Sequence, residues 1–118
     1  MVIREKECKA LVEEICSKTD SFIRKCFTGE NSAKIDTSKL VLSGHSFGGI
    51  TAVSVQRDDP RVKAAIGMDV WFFPHYKELN AKKFGIKEES QATCLLTTEA
   101  FPSEYPYESK FDDYDRFG

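Results

Sequence analysis

The chain has no C-x-x-C pair, no basic face, no apolar run as long as a membrane span, and only two histidines, His45 and His75. Its four cysteines, Cys8, Cys16, Cys26 and Cys94, have no histidine at zinc-finger spacing, which argues against a metal site. Reduced, buried thiols are the expected state. The first three fall on one helical stretch at spacings of eight and ten residues, which turn them away from each other and disfavour pairing. Acids and bases are interspersed, with a net charge of −2 and a pI near 5.7, so nucleic-acid binding has little support. The opening "MVIREKECKALVEE" has no apolar signal core, which is expected of a cytoplasmic chain if Met1 is the true start. There is no internal repeat and no low-complexity tract.

What is present describes a globular protein: 41% hydrophobic and 31% charged residues in 118, enough for one small domain. Residues 3–27 place Cys8, Leu11, Val12, Ile15, Phe22, Ile23 and Cys26 at helical spacing. Thr19-Asp20-Ser21 is a candidate interruption or cap within them. Residues 28–39 have the polar composition of a connection. Residues 40–43 predict a short strand buried on both faces, as in a parallel sheet under helices. Residues 44–49 make a turn, and residues 50–56 continue as helix until Asp58-Asp59-Pro60 stops it.

Residues 62–68 are a second buried strand ending at Asp69, and residues 92–98 a third ending at Glu99. Between them lie Trp71, Phe72, Phe73 and Pro74, then residues 76–84 as a short helix or an irregular segment. Residues 100–118 are aromatic and acidic with little periodicity. The order is that of an α/β fold with about three parallel strands flanked by helices, and the intervals leave room for crossovers. Such a small parallel sheet leaves both edges open, which is poor for a free-standing domain.

Gly44-His45-Ser46-Phe47-Gly48 has the G-x-S-x-G form of a hydrolase nucleophile elbow, in the context of buried strand, turn and helix. A serine hydroxyl is a weak nucleophile, and the elbow lifts it above the sheet within reach of a base. Gly44 and Gly48 are expected to relieve crowding in the turn, and Gly49 to let the helix pack closely. The helix N-terminus offers backbone N–H groups to a developing oxyanion, with the Phe47 N–H as first donor. The plainer alternative is a glycine-rich turn that binds phosphate. His45 is expected to shape the turn rather than act as base.

An acid and a base should follow the serine in the order Ser, Asp or Glu, His. Asp69 and Glu99 both end predicted strands on the rim that carries Ser46, so both are candidates. The plain reading of Asp69 is a turn or cap residue. After Asp69 the only histidine is His75, expected to be exposed in the loop of its own strand and unable to bridge acid and serine. A nucleophile, an acid candidate and one oxyanion donor are therefore present without a base.

"GHSFGG", followed 23 positions after its serine by the aspartate of "GMDVWFFP", resembles the platelet-activating factor acetylhydrolase family. Members are α/β-hydrolases that cleave the sn-2 acetyl, or short or oxidised acyl, ester of phospholipids (1-alkyl-2-acetylglycerophosphocholine esterases). "IREKECKAL", "KIDTSKLVLSGHS" and "CLLTTEAF" extend the similarity to about residues 3–105. The resemblance implies that Ser46 is the nucleophile, Asp69 rather than Glu99 the triad acid, and the Phe47 N–H an oxyanion donor. No residue matches the family's catalytic histidine or the second oxyanion donor, so the chain is expected to be the middle part of a longer domain. The family needs no metal or organic cofactor. The substrate would be met at a membrane or lipoprotein surface, and Trp71 and Phe72 are candidates to line its pocket, with plain core the equal alternative for aromatic residues after a strand. Two other readings stay open: a different α/β-hydrolase carboxylesterase, such as a cutinase-like or polyester hydrolase, and a non-catalytic fragment or binding module.

Overall fold

The computed structural model describes residues 2–17, 25–26, 35–75, 77 and 91–98. Helix α1 spans Val2–Ser17, strand β1 Leu40–His45, helix α2 Phe47–Asp58, strand β2 Val62–Met68 and strand β3 Ala92–Leu96. Single 3₁₀ turns lie at Thr37–Lys39 and Phe73–His75. The fold is α/β, as its sequence order implies. The strands lie side by side in the order β1-β2-β3, both pairs parallel, with His45 beside Met68 and Met68 beside Leu96 at one rim. All three strands therefore end on the same side of the sheet, the rim that carries Ser46 and Asp69. Of the helix expected over residues 3–27, α1 accounts for the part to Ser17, while residues 18–24 lie outside the described residues.

Both helices pack on one face of the sheet. Ile50 and Val53 of α2 meet Ala65 of β2 together with Val70 and Phe72, and half-buried Leu95 closes that cluster. Further along, Val12 of α1 and Val55 of α2 bury against Val62, with Cys8, Cys16, Leu40 and Leu42 packed around them. Burying side chains of this size contributes about 1.5–3 kcal/mol each. The expectation that residues 40–43 are buried on both faces is corrected. β1 alternates, with Leu40 and Leu42 inward and Val41, Ser43 and His45 exposed. Val41, Met68 and Leu96 stay 49%, 39% and 52% exposed on the other face, where none of the described elements packs. The cysteine expectation is also corrected in part: all four are free thiols, but only Cys8 and Cys16 are half-buried, whereas Cys26 and Cys94 are exposed.

Buried amides tie α2 to the start of β3. Gln56, fully buried, donates from Nε2 to the Ala92 carbonyl at 2.6 Å and accepts from Thr93 Oγ1 at 2.7 Å. The Gln91 amide nitrogen donates among the carbonyls of Gln56, Asp59 and Val62 at 2.6 to 3.2 Å. These carbonyls lie at the end of α2, in the turn after it and at the start of β2, so one buried amide ties the three together.

Beyond the helix, Pro60 ends α2 and Arg61 folds back onto Asp59, donating from Nε and Nη2 at 2.9 and 2.7 Å and from its backbone N–H at 3.1 Å. Arg61 also reaches Glu13 of α1, so this cluster pins the helix pair to the sheet. The Arg61 side-chain bonds hold the Asp59 carboxyl below its ordinary range. Hydrogen bonds from Ser17 and Arg61 do the same for Glu13. A folded-state pKa below the unfolded value contributes stability above the unfolded value, and this is lost as pH falls through the folded one. Urea denaturation of the wild-type chain should therefore hold this contribution down to about pH 4 and lose it below that. An Asp59→Asn variant should show a shallower acid limb, and an identical limb in both proteins would remove Asp59 from the account.

Candidate active site

β1 hands the chain to α2 through a single residue. Ser46 has φ 52° and ψ −117°, a conformation that a side chain makes costly by about 1–3 kcal/mol. Four hydrogen bonds hold it there. Its N–H donates to the Met68 carbonyl at the end of β2, at 2.8 Å. Its carbonyl accepts from Gly49 and Ile50 in the first turn of α2, at 3.1 and 3.3 Å, and from Trp71 at 3.2 Å. The Ser46 side chain makes no capping bond to the helix, so its hydroxyl is not spent there. Helix geometry leaves the Phe47 N–H, at the first position of α2, without an intrahelical acceptor, whereas those of Gly49 and Ile50 go to the Ser46 carbonyl.

Close passage of α2 over β1 explains one of the two motif glycines. A Cβ on Gly44 would lie 2.3 Å from the carbonyl carbon and oxygen of Gly48, both backbone atoms. A Cβ on Gly48 would meet nothing within 4 Å. The expectation that both relieve crowding therefore holds for Gly44 and is corrected for Gly48.

Asp69 follows β2 at the same rim, 8% exposed and with φ 43°. Its N–H donates to the Leu96 carbonyl at 2.8 Å. Its Oδ1 accepts from the Thr98 N–H at 2.6 Å, and the Thr98 hydroxyl lies 3.1 Å from both carboxylate oxygens. The Nε2 atom of exposed His45 is 3.8 Å from Oδ2. The structure thus brings Ser46 and Asp69 to adjoining strand ends, joined through the Ser46 to Met68 bond. Sequence reasoning missed Thr98 and the contact of His45 with Asp69. The available signal was that Thr98 closes the strand predicted over residues 92–98, on the rim where Asp69 follows its own; the structure ends that strand earlier, at Leu96. Glu99, the other acid candidate, lies outside the described residues.

The aromatic run divides by burial. Trp71 is half-buried, its ring 5.9 Å from Phe47 and 5.8 Å from that of Phe73, stacked on the latter at 20°. Of the two readings of Phe72, pocket wall and core, the structure shows core: it is fully buried with Ile50, Val53, Ala65 and Val70. His75 is corrected from exposed loop residue to half-buried tie. Its Nε2 lies 2.9 Å from Ser54 Oγ on α2 and 3.0 Å from Glu5 Oε1 on α1. A carboxylate only accepts, so Nε2 carries the proton. Ser54 is eight residues along α2 from Ser46, about 12 Å at helical rise, so His75 points away from the elbow. A cleft of about 430 Å³ opens beside the elbow between α1, β1 and the start of α2, lined by Cys8, Leu11, Leu42, Phe47, Gly48 and Thr51 among others, with neither Trp71 nor Phe72. Burial pushes the Cys8 thiol there up, away from the reactive thiolate. Among the described residues no helix is long and apolar enough to cross a membrane, and no group of three or more His, Cys, Asp or Glu could hold a metal ion.

The family described as platelet-activating factor acetylhydrolase, isoform II, matches residues 11–103. The chain belongs to that family. Among curated relatives named platelet-activating factor acetylhydrolase, that of Cavia porcellus is 38% identical over 48 residues, 41% of this chain and 11% of the relative. That of Bos taurus is 42% identical over 40 residues, covering 34% and 9%. That of Gallus gallus is 30% identical over 86 residues, covering 61% and 20%. The chain therefore spans only about a tenth to a fifth of the relatives it matches. No solved structure is a significant match. The matched span of this acetylhydrolase-family chain includes the elbow, Asp69 and Thr98.

The two motif glycines give a direct contrast. Gly44→Ala should destabilise the chain by about 3 kcal/mol or prevent folding, because the clash is with backbone. Gly48→Ala should be neutral, or stabilising by up to about 1 kcal/mol from helix propensity. Urea midpoints of the two variants, compared with wild type, decide it.

Proposed function

We propose that Ser46 and Asp69 are the nucleophile and triad acid of an esterase that hydrolyses the sn-2 acetyl, or short or oxidised acyl, ester of phospholipids. The observation that carries this reading is the strained Ser46 elbow bonded to the end of the strand that delivers Asp69, in a chain of the acetylhydrolase family. Ser46 Oγ attacks the ester carbonyl as its proton passes to an imidazole, and Asp69 orients that imidazole and stabilises its charge. The Phe47 N–H, at the head of α2, donates to the oxyanion. Collapse of the tetrahedral intermediate expels the lysophospholipid oxygen, which takes the proton from the imidazolium, and leaves an acyl-serine. Water, giving its proton to the same imidazole, then attacks the acyl-serine. Collapse of this second intermediate releases the free acid as the proton returns to Ser46 Oγ. The imidazole is neither of the chain's own. His75 is bound to Ser54 and Glu5, and His45 is the neighbour of Ser46 on the strand side. The base in this reading is a histidine outside these 118 residues. The lipid is met at a membrane or lipoprotein surface.

Acetate release from 1-alkyl-2-acetylglycerophosphocholine, by the protein made with its native flanking sequence, tests the reading. Ser46→Ala and Asp69→Asn should each lower kcat by about 10⁴-fold, with Glu99→Gln near wild type. Undiminished turnover by Ser46→Ala would remove the nucleophile. Loss in Glu99→Gln with Asp69→Asn intact would move the acid one strand along and favour a different esterase of the superfamily. The 118 residues alone should label only slowly with a fluorophosphonate at Ser46, and fast labelling would show that they activate the serine without a distant base.

A further inference from the structure

The register of the sheet places an unexpected constraint on the acid. Met68 pairs with Leu96, so a continued ladder would pair Asp69 with Thr97. In a parallel ladder a residue donates to the carbonyl before its partner and accepts from the N–H after it. Asp69 makes the first of these bonds, to the Leu96 carbonyl. The second would run from the Thr98 N–H to the Asp69 carbonyl. At φ 43° the backbone has left the extended conformation, and the Thr98 N–H goes to Asp69 Oδ1 instead, at 2.6 Å. The carboxylate occupies the ladder position of its own carbonyl.

We propose that Thr98 is the positioning residue for Asp69, a role that rests on the reading of Asp69 as the triad acid. Two anchors define the carboxylate. The backbone N–H fixes Oδ1, and the hydroxyl, 3.1 Å from each oxygen, fixes the plane of the group. The remaining approach is to Oδ2, where an imidazole already comes within 3.8 Å in the form of His45. That is the oxygen a catalytic histidine would use. A carboxylate held this way orients its partner without first losing rotamer freedom of its own, and small misplacements of such groups are costly in rate. The anchor lies two residues beyond β3, so correct docking of β3 is what aims the acid of β2.

Two measurements test this. In the ¹⁵N-labelled 118-residue chain the Thr98 amide proton should be shifted downfield and slow to exchange, and Asp69→Ala should abolish both. In the protein with its flanking sequence, Thr98→Val keeps the N–H and loses the hydroxyl, and should lower kcat about tenfold with KM within about twofold. Thr98→Ser should restore kcat to within about twofold, with all three melting midpoints alike. A purely structural Thr98 would move the midpoint rather than separate Val from Ser in kcat. A Thr98 amide indifferent to Asp69→Ala, or equal kcat for Val and Ser, would overturn the proposal. Absence of any ester hydrolysis by the wild-type protein would instead overturn the esterase reading, and the amide result would then decide the Thr98 clamp alone.

Discussion

The backbone of Ser46 is the joint on which the described structure turns. Its N–H is tied to β2 and its carbonyl to α2 and to the loop after Asp69, so one residue couples the ends of two strands, the head of a helix and the acid loop. An unfavourable φ of 52° persists because these four bonds over-determine it. The strain is local, and the elements that offset it are spread through the sheet. This arrangement presents a side chain above the rim while the main chain stays fully bonded.

Small residues then decide how closely the parts approach. Val70 wedges into a notch between α2 and β2, where a Cβ on Gly67 or Gly49 would come within 2.4 or 2.9 Å of its Cγ2 atom. Val70 and Phe72, sunk into the core, anchor the start of the loop leaving Asp69. His75 closes the same loop by reaching Ser54 and Glu5, so both helices hold the far end of the segment that begins with the acid. Stability and site geometry are thus the same contacts seen from two ends. The buried Gln56 and Gln91 amides extend this to β3, whose position aims Thr98.

Much of this was legible in the chain. Unalternating apolar runs before Gly44 and before Asp69 marked strands, Asp58-Asp59-Pro60 marked the end of α2, and the spacing of serine and aspartate pointed to one family. Burial of each face was not legible. Leu40 to Ser43 reads as uniformly apolar, yet Val41 lies on a face that none of the described elements covers. Nor was the fate of His75, since a histidine after a proline in an aromatic loop carries no mark of the glutamate seventy residues earlier that receives it. Gly48 misled in the opposite way: a motif glycine suggests a steric demand, and here only Gly44 answers one.

The sequence by itself determined the local chemistry: a turn that only small residues permit at Gly44, a serine at its apex, and an aspartate at the end of the next strand. Those follow from short-range sterics and residue identity. Tertiary structure alone decided which groups meet. Parallel register set Met68 against Leu96 and so delivered the Thr98 N–H to the Asp69 carboxylate. Stacking of α1 and α2 on one face turned His75 into a tie between helices. Hydrogen bonds between residues far apart in the chain depend on register and docking, and no local pattern of side chains encodes them.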